Sequence, residues 1–168
     1  MNRSQLAPLG LLIEPEAENL IAISNISLWS RTRVTVTASS SIFAKQVYLL
    51  QDNGANGQHN ILTPYPPVNY DTYWVLFIYM KNGTNRFAQI SVGGEGIFAN
   101  FDLELGVLGT KHQFVESSIV PAGDGWYRCS MGITSPNGLS FVVYLVMAAN
   151  AIRAQGNTTS GSIFLCFP

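Results

Sequence analysis

Apolar and polar residues along this chain alternate with a period of two, or gather in short apolar runs closed by turn residues, and the 3.6-residue period of a helix is almost absent. Arg33–Ala38 alternates cleanly, with Val34, Val36 and Ala38 on one side and Arg33, Thr35 and Thr37 on the other. Tyr73–Lys81 reads YWVLFIYMK, aromatic and β-branched throughout, which predicts a strand covered on both faces. Arg86–Val92, Ile97–Leu103, Gln113–Val120, Trp126–Ile133, Ser140–Ala149 and Ser162–Phe167 complete the strong strands, and Tyr48–Gln51 and His59–Leu62 are shorter ones. Turn residues stand between them at Asn82-Gly83, Gly93-Gly94, Gly106, Gly123-Asp124-Gly125 and Pro136-Asn137-Gly138. Asn137-Gly138, between two strong strands, is the sharpest hairpin signal. Glu14–Ile21 has the acidic residues of a helix N-terminus, but Pro15 and its brevity argue for irregular structure.

About eight to ten short strands with little or no helix predict an all-β fold, an antiparallel β-sandwich of jelly-roll type. No repeat or linker divides the chain, and the Pro-rich loop Thr63–Asp71 is too short and too aromatic to be a boundary. One domain over residues 1–168 is expected, with residues 1–9 as an extended N-terminal arm. Tyr73–Lys81, Trp126–Ile133 and Ser140–Ala149 belong near the centre of the sheets.

Composition narrows the partners. The 168 residues carry 9 basic and 10 acidic side chains, 11% charged, against roughly 25% in an average soluble protein. With 47% hydrophobic residues, the shortfall is filled by Gly, Ser, Thr, Asn and Gln. A net charge of −1 offers no basic face for nucleic acid and no polybasic anchor. The most apolar run, Phe141–Ile152, is too short to span a bilayer, so no membrane insertion is expected. Arg3 followed by Leu6–Ile13 imitates a signal peptide, but Pro8 and Gly10 interrupt it and Glu14, Glu16 and Glu18 stand where small residues should be. A surface so poor in charge suits contact with other protein or with neutral glycans.

Catalytic constellations are scarce. His59 and His112 sit in unrelated segments, with no Cys or second His at metal-ligand spacing. Gly94–Ala99 fits GxGxxA formally, but a dinucleotide loop must open a helix, and a strand follows here. Asp102 and Glu104 alternate onto one face of a predicted strand, which admits a carboxylate pair for glycoside hydrolysis or a solvated face. A loop calcium held by a few oxygens remains open; no cofactor is implied. Cys129 and Cys166 admit either a bridge between strands or two reduced thiols. The sequons at Asn25, Asn82 and Asn157 matter only in a secreted eukaryotic protein.

Aromatic residues are the other candidates. Tyr65, Tyr70, Tyr73 and Trp74 cluster in and after the Pro-rich loop. A flat ring with a polar edge stacks on a neutral sugar and equally anchors a protein contact; the alternative is that these rings close the core. Trp126, entering a strand after a glycine turn, reads as core.

Several segments resemble a known module. GLLIEPEAENLI (Gly10–Ile21) followed by Trp29 is similar to the opening of a β-sandwich module in tail and fibre proteins of tailed bacteriophages. YWVLFIYMKNGTNRFAQISV (Tyr73–Val92) resembles that module's aromatic strand, ending in Lys81 before a Gly turn. FANFDLELGVLGT (Phe98–Thr110) and IVPAGDGWYRCSMGI (Ile119–Ile133) carry its Phe-Asp-Leu…Gly and Gly-Trp-Tyr-Arg-Cys patterns. The likeness covers about residues 10–167. It implies a jelly roll similar to carbohydrate-binding modules, without catalysis, in which Trp126, Tyr127 and Arg128 are structural, Trp126 packing an edge of the core and Arg128 satisfying a loop. Met1 at the start and Phe164–Pro168 in place of the family's closing Gly-Ala-Gln stretch favour a small stand-alone particle protein.

The resulting expectation is a non-catalytic virion structural protein, a capsid decoration or cement protein or an appendage on the particle surface, assembled in the host cytoplasm. The alternative is a lectin-like tail-fibre module that binds host-surface carbohydrate. Partners would be other copies of the chain, other virion proteins and host-surface glycans. Low charge leaves little to keep free copies apart, and phage appendages favour three-fold symmetry, so the chain should sediment as a trimer at micromolar concentration. A stable monomer in that experiment, with the same species on particles, would refute this.

Overall fold

The computed structural model describes residues 26–63, 72–92, 96–135, 140–152 and 161–167. Strand makes up 67% of them, and among the described residues the only helical piece is a single 3-10 turn at Ile26–Leu28. Twelve strands follow in order: β1 Ser30–Thr32, β2 Val34–Ile42, β3 Lys45–Asp52, β4 His59–Leu62, β5 Thr72–Asn82, β6 Phe87–Val92, β7 Phe98–Asp102, β8 Val107–Lys111, β9 Glu116–Gly123, β10 Trp126–Ser135, β11 Phe141–Val146 and β12 Ser162–Cys166. They form two antiparallel six-stranded sheets, β1-β4-β11-β6-β7-β8 and β2-β3-β12-β5-β10-β9. These are named below for their inner strands, the β11 sheet and the β5 sheet. Neither closes into a barrel, and the packing is that of an all-β sandwich, consistent with a jelly roll.

Strand alternation explains the core. On β5, Leu76, Ile78 and Met80 point inward, where they join Leu50, Met131 and Leu165 of the same sheet. Ile61, Ile90, Phe101 and Val143 of the β11 sheet meet them from the other side. Trp29, ahead of β1, packs its ring 4.7 Å from that of Phe167, just after β12, so both ends of the described chain are tied into the same core.

The turn after β7 joins the sheets. Asp102 accepts hydrogen bonds from the backbone N–H groups of Glu104 and Leu105, both at 3.1 Å. Gly106 follows at φ 68°. A Cβ there would lie 2.5 Å from the Tyr127 ring, so this glycine is required both by conformation and by the close approach of β10. The Phe-Asp-Leu…Gly and Gly-Trp-Tyr-Arg-Cys segments therefore meet in space, Gly106 against Tyr127.

Several expectations need correction. β5 is covered on one face only, since Tyr73 and Val75 are exposed. Asn137-Gly138 lies outside the described residues, but the strands on either side of it, β10 and β11, belong to different sheets and do not pair with each other. β1 and β8 are additional edge strands, too short or too exposed to show an alternating pattern. The arm at residues 1–9 and the Glu14–Ile21 segment lie outside the described residues.

Phe101 is fully buried between the sheets. Phe101→Ala should lower stability by about 3–5 kcal/mol and Ile78→Val by about 0.5–1.5 kcal/mol, read from urea unfolding midpoints.

Candidate functional site

The outer faces of the two sheets differ in kind. On the β11 sheet, Gln89 and Asn100 point outward yet are fully buried, because residues 147–152 fold back across them. The Gln89 side-chain N–H donates to Asn100 Oδ1 at 2.8 Å, and Asn100 Nδ2 donates to the carbonyls of Ala149 at 3.2 Å and Ala151 at 2.7 Å. The Thr110 N–H reaches the Ala149 carbonyl at 2.8 Å. A Cβ at Gly109 would sit 2.2 Å from that carbonyl oxygen, so the crossing strap requires glycine beneath it. Val142, Tyr144 and Val146 are buried under the same cover with Ala151.

The β5 sheet presents an open aromatic face. Tyr73, Val75, Phe77 and Tyr79 are the outward positions of β5, opposite in parity to its core residues. Tyr73 is 49% and Val75 54% exposed, with Phe43 at 51% and Val120 at 48% beside them. The Phe43 and Tyr79 rings lie 5.1 Å apart, Phe77 meets Tyr79 edge-on at 6.2 Å, and the Arg128 guanidinium lies 4.5 Å over Phe77. A smaller apolar cluster of Val47, Trp126 and Cys166 forms the buried floor of this face.

Two local devices hold the face in shape. The β2–β3 hairpin turns on Phe43 and Ala44, at φ 52° and 57°, a pair of left-handed residues for which Asn-Gly is the ordinary choice. A bulky side chain is strained in that region, and the Phe43 ring packs at a tilt of 51° against Tyr79. Tyr73 lies across β10: a Cβ at Gly132 would fall 2.1 Å from the phenol oxygen, and the hydroxyl donates to Glu116 Oε2 at 2.6 Å. That carboxylate, as acceptor and as neighbouring charge, raises the phenol's pKa. At the end of β5, Lys81 Nζ donates to the Asp124 carbonyl at 2.7 Å, fixing a turn whose three residues Gly123, Asp124 and Gly125 all have positive φ.

The structure divides the residues that the sequence grouped. Tyr73 faces outward, whereas Trp74 faces inward and packs against the core, with its indole Nε1 buried and unpartnered; they share no surface. Tyr65 and Tyr70 lie outside the described residues. Trp126 is buried in the smaller apolar cluster with Val47 and Cys166. Arg128 lies over the Phe77 ring. Tyr127 packs on the inner side against the main core. Phe43, Val75, Phe77, Tyr79 and Val120 were not singled out from sequence. The usable signal was that the odd-numbered positions of YWVLFIYMK are as apolar as the even ones.

The carboxylate pair is also reassigned. β7 ends at Asp102, and Glu104 lies in the turn beyond it. Arg86 holds both: Nε and NH2 reach the Asp102 carboxylate at 2.9 and 2.6 Å, and NH1 reaches Glu104 at 3.1 Å. This ion pair anchors a turn and commits both carboxylates to Arg86. Among the described residues no three His, Cys, Asp or Glu side chains gather as a metal site. Cys129 and Cys166 lie on opposite faces of the β5 sheet, one in the main core and one in the outer cluster, so they cannot bridge without refolding a strand. Burial pushes both thiols' pKa values up.

The hydrogen bonds from Arg86, with those from Leu105 and Glu104, hold the Asp102 carboxyl below its ordinary pKa, against the opposing effect of burial. A lowered carboxylate stabilises the fold above its unfolded value, about 3.9, and that contribution fades as pH falls through the folded value. Asp102→Asn should therefore be less stable than the native chain at pH 7, with the gap narrowing on acidification below about pH 4, as thermal melts across pH will show. In comparisons with known proteins, no protein-family model matches this chain and no curated protein matches it.

Proposed function

We propose that this chain is a non-catalytic surface protein of a tailed-phage particle and that it attaches through the outer face of its β5 sheet. The observation that carries this reading is the open row Tyr73, Val75, Phe77 and Tyr79, extended by Phe43 and Val120. Contiguous apolar patches rimmed by polar residues mark interaction surfaces in soluble proteins. The opposite face is already covered by residues 147–152, which leaves the β5 sheet as the binding side. The virion assignment rests on the resemblance of Gly10–Ile21, Phe98–Thr110 and Ile119–Ile133 to phage tail and fibre modules. Capsid decoration and appendage roles both require such a face, and other virion proteins or further copies of the chain would cover it.

A lectin-like reading has its own support. Tyr73 and Tyr79 offer rings with polar edges, and the hydroxyls of Ser118 and Ser130, paired at 2.7 Å, lie on the same face. Neutral sugars are recognised by such a mixture of stacking and hydroxyl contacts.

Two variants separate the readings. Phe43→Asn removes an exposed ring and suits the left-handed turn better, and Val75→Glu places a charge in the middle of the row. Both should keep the native circular dichroism spectrum. The attachment reading expects Val75→Glu to be lost from gradient-purified particles and a glycan array to show no binding by the native chain. Array binding by the native chain that Val75→Glu abolishes, with normal particle occupancy, would favour the lectin. Full occupancy and an empty array for both variants would refute the face as a binding site.

A further inference from the structure

A sandwich with two open sheets has four edge strands, and exposed edges present unpaired N–H and C=O groups to any passing chain. Three of the described edges are blunted. β1 has only three residues. β8 donates a hydrogen bond from its Thr110 N–H to the strap's Ala149 carbonyl. β9 contains Pro121, which cannot donate, and a register shift beside it. β2 differs: it runs nine residues, Val34–Ile42, with no charge and no proline.

The phase of its ladder can be read from the neighbouring bonds. The Asn53 N–H donates to the Arg33 carbonyl at 3.1 Å, and the Asp52 N–H donates away from β2, to Gly161 at 3.0 Å. In an antiparallel pair these groups alternate, so Arg33, Thr35 and Thr37 bond to β3, while Val34, Val36 and Ala38 turn their N–H and C=O groups to the open edge. Beyond Ala38, Gln46 Nε2 donates to the carbonyls of Ser39 and Ser40 at 3.0 and 3.1 Å, which closes the bulge there. Among the described residues, the strip left without a strand partner on that side is thus Val34–Ala38. It is flanked by cations, Arg31 and Arg33 at one end and Lys45 at the other, and among the described residues no carboxylate lies within ion-pair distance of any of them.

We propose that the β2 edge is a docking strip for an extended acidic segment of another protein, which adds beside β2 as a further strand of the β5 sheet. Main-chain hydrogen bonds to Val34, Val36 and Ala38 would supply the pairing, and carboxylates at the segment's ends would meet Arg31, Arg33 and Lys45. A second copy of β2 fits worse. Antiparallel self-pairing carries Arg31 and Arg33 of one copy toward Lys45 of the other, and like charges across a ladder are unfavourable. The inference concerns a sheet edge and stands independently of the outer-face reading.

The test is an amide chemical-shift titration of the isotope-labelled full chain. The probe is a blocked peptide of alternating Thr and Val with two Glu at each end; a Lys-ended peptide of the same core is the control. Shifts confined to β2 and β3, saturating for the Glu-ended peptide and weakened by salt, are expected. Ala38→Pro removes one outward N–H at a position where an edge strand tolerates proline, and should weaken binding about tenfold, while Ala38→Gly should not. No shifts at millimolar peptide, equal binding of the Lys-ended peptide, or shifts centred on Phe77 and Tyr79 would overturn the proposal. Concentration-dependent shifts of Val34–Ala38 without peptide would overturn it in favour of self-pairing.

Discussion

Neighbouring residues on a strand face opposite sides of the sheet, and in this protein that parity decides what each notable side chain can do. It sends Ile78 into the core and Tyr79 to the outer face, although they are adjacent in sequence. It separates Tyr73 from Trp74, which share a short aromatic run but no surface. It separates Cys129 from Cys166, which sit at adjoining registers, opposite Ile78 and Tyr79 of β5. Through the ladder it also fixes which backbone groups of β2 are satisfied and which are open. A shift of register by one residue would exchange these roles wholesale. The large buried side chains Phe101, Met131 and Leu165 keep the register in place.

Parity also explains what the sequence made legible. Strands with strong apolar patterning, His59–Leu62, Thr72–Asn82 and Trp126–Ser135, were visible within a residue or two of their ends. The β2–β3 hairpin was not visible as a turn, because Phe43-Ala44 has none of the residues that favour left-handed backbone. Asn137-Gly138 misled for the opposite reason: its local chemistry suits a hairpin, but β10 and β11 pair with different partners in different sheets. Local signals report turn propensity and are silent about which sheet receives the next strand. The candidate site followed the same division. The aromatic wealth of Tyr73–Lys81 could be read, but which rings stay outside depends on the β11 sheet covering only one side of β5. Asp102 and Glu104 admitted either a carboxylate pair or a solvated face from sequence, and Arg86, sixteen positions before Asp102, binds both.

The two outer faces show how a charge-poor chain manages its surface. Covering the β11 sheet leaves two side-chain amides, Gln89 and Asn100, without access to water. A buried amide without partners is costly, and here Gln89 donates to Asn100 and to the Ile152 carbonyl, while Asn100 donates to the strap's carbonyls at Ala149 and Ala151. The polar residues thus serve as the attachment for residues 147–152, and Gly109 leaves room for its backbone. Displacing the strap would break those hydrogen bonds. Among the described residues the β5 sheet shows no equivalent anchor, and its outward positions include rings, Val75, Val120, Arg128 and small hydroxyls.

Charge placement follows from the same economy of ionic groups. With 9 cations and 10 anions in all, each committed pair noticeably depletes the surface. Arg86, Asp102 and Glu104 are joined in one turn, Lys81 is drawn to the Asp124 carbonyl, and Glu116 receives the Tyr73 hydroxyl. Arg128 lies flat on Phe77 and shields the ring it covers. The charged groups of the aromatic face are therefore occupied within the chain, and the face itself is close to neutral. At the β2 edge the opposite holds, since Arg33 and Lys45 flank an uncharged strand and make no ion pair among the described residues. The same sheet so presents two chemically distinct surfaces at right angles, a neutral aromatic plane and a basic-ended strand edge, and ionic strength will act on the second far more than on the first.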